Sequence, residues 1–151
     1  MSFNIFLNSA INASTPNGCA NATYNFDFHS LSRGYSGKYK LTFKFCTGGF
    51  SSAISYTNAT RILTIQGLGS STQCFTNTAT YGYTSSTVLG ILSNTGTQFY
   101  SDVGDNPPLV ISNLPNTTQF SLIIYTDAGA VDTYINSIDY VCILCFEPFE
   151  E

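Results

Sequence analysis

Lys38-Tyr39-Lys40-Leu41-Thr42-Phe43-Lys44-Phe45-Cys46 alternates without a break. Tyr39, Leu41, Phe43 and Phe45 fall on one side. Lys38, Lys40, Thr42, Lys44 and Cys46 fall on the other. Side chains leave a pleated backbone on opposite faces in turn, so a period of two predicts a β-strand. One face is apolar and rich in rings and needs a second layer to cover it. The other carries three of the five basic residues of the chain. The stretch therefore predicts a layered β architecture, and its lysine face poses the functional question.

Outward from this strand the chain reads as short β segments between turns. Phe3–Asn8 alternates, with Phe6 as the exception. Asn12–Gly18, with Pro16 and Asn17-Gly18, is turn chemistry. Ala22–His29 alternates, which predicts a strand with Tyr24, Phe26 and Phe28 inward and Asn25, Asp27 and His29 outward. Leu31–Gly37 is the connection to the lysine strand. Further strands are expected at Ser52–Tyr56, Arg61–Ile65, Gln73–Phe75, Thr80–Tyr83, Thr97–Val103 and Leu109–Ile111. Ser85–Leu92 is the one place where a helical turn is expected, with Ser85 or Ser86 as N-cap and Gly90 limiting its length. Asp105-Asn106-Pro107-Pro108 is a hard turn, because proline cannot continue a ladder.

Gln119–Tyr125 is apolar almost throughout, which predicts a central strand covered on both faces. Tyr134–Phe146 predicts the last long strand, again apolar on both faces. Glu147–Glu151 reads as a short acidic, solvated tail after a single domain spanning residues 1–146. This many short strands with Gly, Pro and Asn turns mean an all-β, antiparallel β-sandwich or a barrel.

Composition narrows the function classes. The 151 residues suit one domain. Charged residues make up only 9%, against about a quarter in ordinary soluble domains. Ser, Thr and Asn take their place. Such a surface, with 15% aromatics, suits a chain packed against neighbours; a secreted β domain is the plainer alternative. A net charge of −4 lacks the basic footprint of a nucleic-acid binder. No stretch has the length of a membrane span. Met1–Asn4 has no basic n-region and no apolar run follows, so a secretory signal is not expected.

Catalytic and metal chemistry find little support. His29 is the only histidine, and Asp27 two residues earlier shares its expected strand face. A solvated polar face explains the pair better than a catalytic dyad. Asp102, Asp105, Asp127 and Asp132 sit near turns, where Asp serves local hydrogen bonding; a calcium loop is the sharper reading. Cys142-Ile143-Leu144-Cys145 has zinc or redox spacing, but on a strand residues three apart point to opposite faces. Thr47-Gly48-Gly49 and Gly67-Leu68-Gly69 match no nucleotide-binding loop. No catalytic residue, cofactor or metal is therefore assigned. The sequons at Asn12, Asn21, Asn58 and Asn116 are as many as an Asn- and Thr-rich chain produces by accident.

Five cysteines, an odd number, argue against a closed disulfide framework. Cys19, Cys46 and Cys74 are the candidates for bridges to another chain. Lys38, Lys40 and Lys44 are the candidate partner contact. Lysines on an exposed strand also protect it from aggregation, and both readings stand.

Three stretches together resemble a known family. They are Tyr24–Phe28 followed by Gly37–Phe45; Leu89-Gly90-Ile91-Leu92; and Asp105–Pro108 with Leu114-Pro115-Asn116 and Phe120–Tyr125. Their order and spacing, over roughly residues 20–125, are similar to the single-jelly-roll minor capsid proteins of large icosahedral nucleocytoplasmic DNA viruses, including giant and algal viruses. The resemblance implies a jelly roll of two packed four-stranded sheets, with the strands flanking Leu31–Gly37 in different sheets rather than paired as a hairpin. It implies a structural virion protein that cements or supports major-capsid capsomers. The partners would be the major capsid protein, other minor capsid proteins and copies of itself, and the location the capsid shell. The family carries no catalytic residues to transfer. The competing reading is a lectin-like or receptor-binding β-sandwich using Tyr and Asn in loops such as Thr80–Ser86 or Thr97–Asp105.

Overall fold

The computed structural model describes residues 2–10, 15–16, 21–35, 37–48, 60–67, 74–77, 84–111, 119–126 and 138–149. The chain is all-β, antiparallel and nearly closed into a barrel. In chain order the elements are β1 (Phe3–Asn8), β2 (Thr15–Pro16), β3 (Asn21–Asn25), α1 (Phe28–Ser32), β4 (Lys38–Thr47), β5 (Arg61–Gln66), β6 (Cys74–Asn77), β7 (Thr84–Asn94), β8 (Phe99–Ser101), β9 (Leu109–Ile111), β10 (Gln119–Thr126) and β11 (Tyr140–Phe149). The expected strands at Ser52–Tyr56 and Thr80–Tyr83 lie outside the described residues, as do residues 134–137 of the expected last strand.

A front sheet runs β1-β11-β4, with β8 and β9 side by side on the far edge of β4. A back sheet runs β2-β3-β10-β5-β7, with β6 beyond β7. β4 is the strand its alternation predicts: Tyr39, Leu41, Phe43 and Phe45 are buried. Their cover is the opposite sheet, where Ala22, Tyr24, Leu63, Ile65, Phe120, Leu122 and Ile124 are buried. The two layers are tied where β11 begins. Tyr24 Oη of β3 donates to Tyr140 Oη of β11 at 2.7 Å, both rings being buried. A buried hydroxyl needs such a partner.

β10 lies between β3 and β5 and is buried on both faces from Leu122 to Tyr125, as its unbroken apolar run requires. β11 differs from expectation. Its second face is only half covered, with Val141 exposed and Ile143 and Cys145 half-buried. It also runs past Phe146. Glu147, Pro148 and Phe149 stay in register opposite Lys40, Tyr39 and Lys38. The start of the expected acidic tail is therefore strand, because β4 supplies it with a partner.

Two further expectations are corrected. The strand at Ala22–His29 stops at Asn25, and the chain turns into α1. Asp27 caps this helix: Oδ1 accepts from Ser30 N at 3.2 Å and Oδ2 from Ser30 Oγ at 2.7 Å. Side-chain capping satisfies a backbone donor that the first turn leaves open. Phe28 is thereby swung between the layers, onto Phe120 of the back sheet and Phe146 of the front sheet. Arg33 ends the helix in the left-handed region at φ 53°. As a result β3 and β4 lie in different sheets, β3 pairing β10 and not β4.

The helical turn expected at Ser85–Leu92 is instead β7. Its first part pairs β5 and β6; its end, Ser93 and Asn94, pairs Tyr100 and Phe99 of β8 in the front sheet. One strand thus turns the corner between layers. The device is a bulge: Leu63 faces Gly90 and Thr64 faces Val88, so Leu89 is the extra residue. A bulge bends and twists its strand. Gly90 is the point of closest approach, since a Cβ there would lie 2.7 Å from Asn106 Oδ1. That amide bridges a break in the ladder of β7. Asn106 Oδ1 accepts from Ile91 N at 2.9 Å, and Nδ2 donates to Ile91 O at 3.1 Å and to Ser101 Oγ at 3.0 Å. It stands between the stretch paired by β6 and the stretch paired by β8.

Candidate contact face on the front sheet

The outer face of the front sheet follows from the registers. Across β1, β11 and β4 the side chains form rows: Asn8, Val141 and Cys46; Phe6, Ile143 and Lys44; Asn4, Cys145 and Thr42. The next row holds Glu147 and Lys40, with Val110 of β9 beyond. The last holds Phe149 and Lys38. Inward residues alternate with these and fill the core. Directly opposite side chains lie about 5 Å apart, so each row is a contact line.

The three candidate lysines all stand on this face, but they are not a bare basic patch. Lys38 and Lys40 are half-buried. Lys40 is opposite Glu147 in the ladder. Lys44 Nζ lies 3.7 Å from Asp102 Oδ1, with the two side chains 58% and 65% exposed. Water screens so exposed a pair, which contributes at most about 1 kcal/mol. Two of the lysines therefore face carboxylates of their own chain, and charge of both signs is interleaved along the face.

Beside the lysines runs an apolar stripe that periodicity only hinted at. Phe6 is 54% exposed and Val141 36%. Ile143 is half-buried between Phe6 and Lys44. The signal in the sequence was Phe6 itself, which breaks the alternation of β1.

The cysteines divide. Cys46 is an exposed free thiol whose Sγ donates to Thr47 O at 3.3 Å. Gln98 Nε2 also donates to Thr47 O, at 2.9 Å. Cys74 belongs to β6, its backbone opposite Thr87; Cys19 lies outside the described residues. Cys142 points into the core, where burial, and after it the neighbouring Cys145 thiol, pushes its ionisation far above the ordinary thiol range. Cys145 is on the other face. The CxxC pair therefore diverges, as strand geometry demands. Among the described residues no three His, Cys, Asp or Glu come together as a metal site.

Asp27 and His29 do not share a strand face. Asp27 is the helix cap, and His29 is exposed on α1. Asp102 and Asp105 hold their own turn, Asp102 N donating to Asp105 Oδ2 at 2.8 Å and Asp105 N to Asp102 O at 3.1 Å. Asp127 and Asp132 lie outside the described residues, as do the sequon asparagines 12, 58 and 116. Asn21 opens β3. No helix among the described residues is long and apolar enough to cross a membrane.

No protein-family model and no curated protein matches the chain.

Proposed function

We propose that this chain is a structural virion protein: a jelly-roll minor capsid subunit that cements or supports major-capsid capsomers. The observation that carries the reading is the strand order. One layer pairs β1-β11-β4 and then β8 and β9; the other pairs β3-β10-β5-β7. From β3 to β5 the chain alternates between the layers, and it does so again from β10 to β11: β3 is in one, β4 in the other, β5 back in the first. That interleaving is what a jelly roll of two four-stranded sheets requires, two Greek keys wound together. It supports the fold that the sequence resemblance implies, and with it the architectural role.

The low charge of the chain and the apolar stripe beside Lys38, Lys40 and Lys44 support a protein that works through contacts with other capsid proteins. In this reading the front face, with its interleaved charges, orients the subunit against a neighbour; charges do this more effectively than they add affinity. The subunit resides in the capsid shell and uses no cofactor. Quantitative mass spectrometry of purified virus particles tests the proposal. The polypeptide should be present in a fixed ratio to the major capsid protein. Its absence from washed particles, together with specific hits on a glycan array, would replace the capsid role with a carbohydrate-binding one.

A further inference from the structure

The front face is its own complement. Its β4 column carries Lys38, Lys40, Thr42 and Lys44; its β11 column carries Phe149, Glu147, Cys145 and Ile143 in the same rows. Two copies packed face to face about a two-fold axis place the same patch on both sides. An axis running along the strands, between β11 and β4, exchanges the two columns. Lys40 then lies over Glu147 of the second copy, and Glu147 over its Lys40. The aliphatic stem of Lys44 lies over Ile143, and Lys38 over the ring of Phe149. The other in-plane axis, across the strands through Thr42 and Cys145, sets Lys40 on Lys44 and is opposed by like charge. The charge pattern thus selects one arrangement.

We propose that the occupant of this face is a second copy of the same chain, in the strand-parallel arrangement. The apolar contribution comes from Val141, which lies over Cys46 of the second copy, and from Ile143 against the stem of Lys44; both are exposed or half-exposed in the single chain. Aligned sheets pack at about 10 Å with a twist of about 30°, so the central rows make the closest contacts. Those rows hold Lys40, Glu147, Lys44 and Ile143. The inference rests on the reading of this face as a contact surface, and it names what covers it.

The test is sedimentation equilibrium on the purified full chain. The wild-type protein is expected as a dimer. Lys40→Glu alone faces Glu147 of the second copy twice, and Glu147→Lys alone faces Lys40 twice. Each should weaken the dimer by roughly a hundredfold. A one-to-one mixture of the two variants should restore the dimer, because the introduced glutamate of one chain then meets the introduced lysine of the other while the second cross-chain pair is native. Within each chain the like-charge pair persists, so rescue by mixing reports the contact between copies alone. A monomeric wild type, single variants that dimerise normally, or a mixture no tighter than its parts would overturn the proposal. None of these outcomes bears on whether the chain is found in particles, and absence from particles leaves the dimer standing.

Discussion

Asn106 holds both backbone groups of Ile91 with one side-chain amide, at 2.9 and 3.1 Å, and packs against Gly90 as it does so. A side chain here substitutes for a residue of strand where β7 passes from one sheet to the other. Asn106→Ala should cost about 0.5–1.5 kcal/mol in denaturant unfolding, the net range for hydrogen bonds open to water. Gly90→Ala should also destabilise, since its Cβ runs into the amide. The two should not add. In the Asn106→Ala background the methyl at position 90 has lost its obstacle, so the second change should cost clearly less than it does alone. Additive costs would mean that the contact is not the reason for the glycine.

The buried hydroxyl pair gives a second test. Tyr24→Phe removes the donor to Tyr140, and Tyr140→Phe the acceptor. Each should lose about 1 kcal/mol. A double-mutant cycle should return a coupling of at least about half a kcal/mol, as expected for directly bonded groups. A coupling of zero would dissociate the two sheets at this point.

Asp27 makes the α1 cap sensitive to acid. The Ser30 hydroxyl, and then the Ser30 amide, favour the charged carboxylate and hold its pKa below the ordinary 3.8. The unfolded chain therefore binds a proton first as pH falls. The cap's contribution is full above the unfolded value and is lost as pH drops through the folded one. Asp27→Asn keeps a hydrogen-bond acceptor without the charge, so the variant should lose this component of the acid dependence below about pH 4. Stability curves of the two proteins that run parallel through that window would show that the cap does not titrate.

Thiol labelling should separate the cysteines. Cys46 is exposed and should react with a maleimide in the native protein. Cys142 is buried and its thiol is held protonated, so it should react only on unfolding. Peptide mapping after brief labelling reads both at once.

Replacing Lys38, Lys40 and Lys44 with glutamine should leave the thermal midpoint nearly unchanged at concentrations where the wild-type chain is monomeric, because exposed ion pairs such as Lys44–Asp102 contribute little. The same variant should incorporate poorly into assembling particles. A large loss of midpoint would make these lysines structural instead.

The parts of the fold that could be read from residues alone are those governed by local period. β4 shows one wet face and one dry face, and β10 shows none wet in its central part, so each announces its burial. The missed elements are decided elsewhere. Phe26 and Phe28 continue the alternation of β3 by coincidence, and the cap at Asp27 overrides it; an Asp three residues before a serine was the available clue. β7 hid because the bulge at Leu89 breaks its period and because Ser85 and Ser86 suit a helix start as well as a strand. The lysine face was legible, but the acidic residue opposite Lys40 was not. Glu147 meets Lys40 only through the pairing of β11 with β4, and no local pattern encodes a contact between residues so far apart in the chain.

That pairing also sets a timetable for biosynthesis. β11 lies between β1 and β4 and is bonded to β4 along its whole length and to β1 from Val141 to Phe146. As the chain leaves the ribosome, β1 has nothing to zip onto until residues 140–149 have followed, and the lysine strand meets only the short β8 and β9 before then. The back sheet can assemble earlier from β3, β5, β7 and β10. That sheet is itself joined only when β10 links β3 to β5, so the two layers close late in translation and in quick succession.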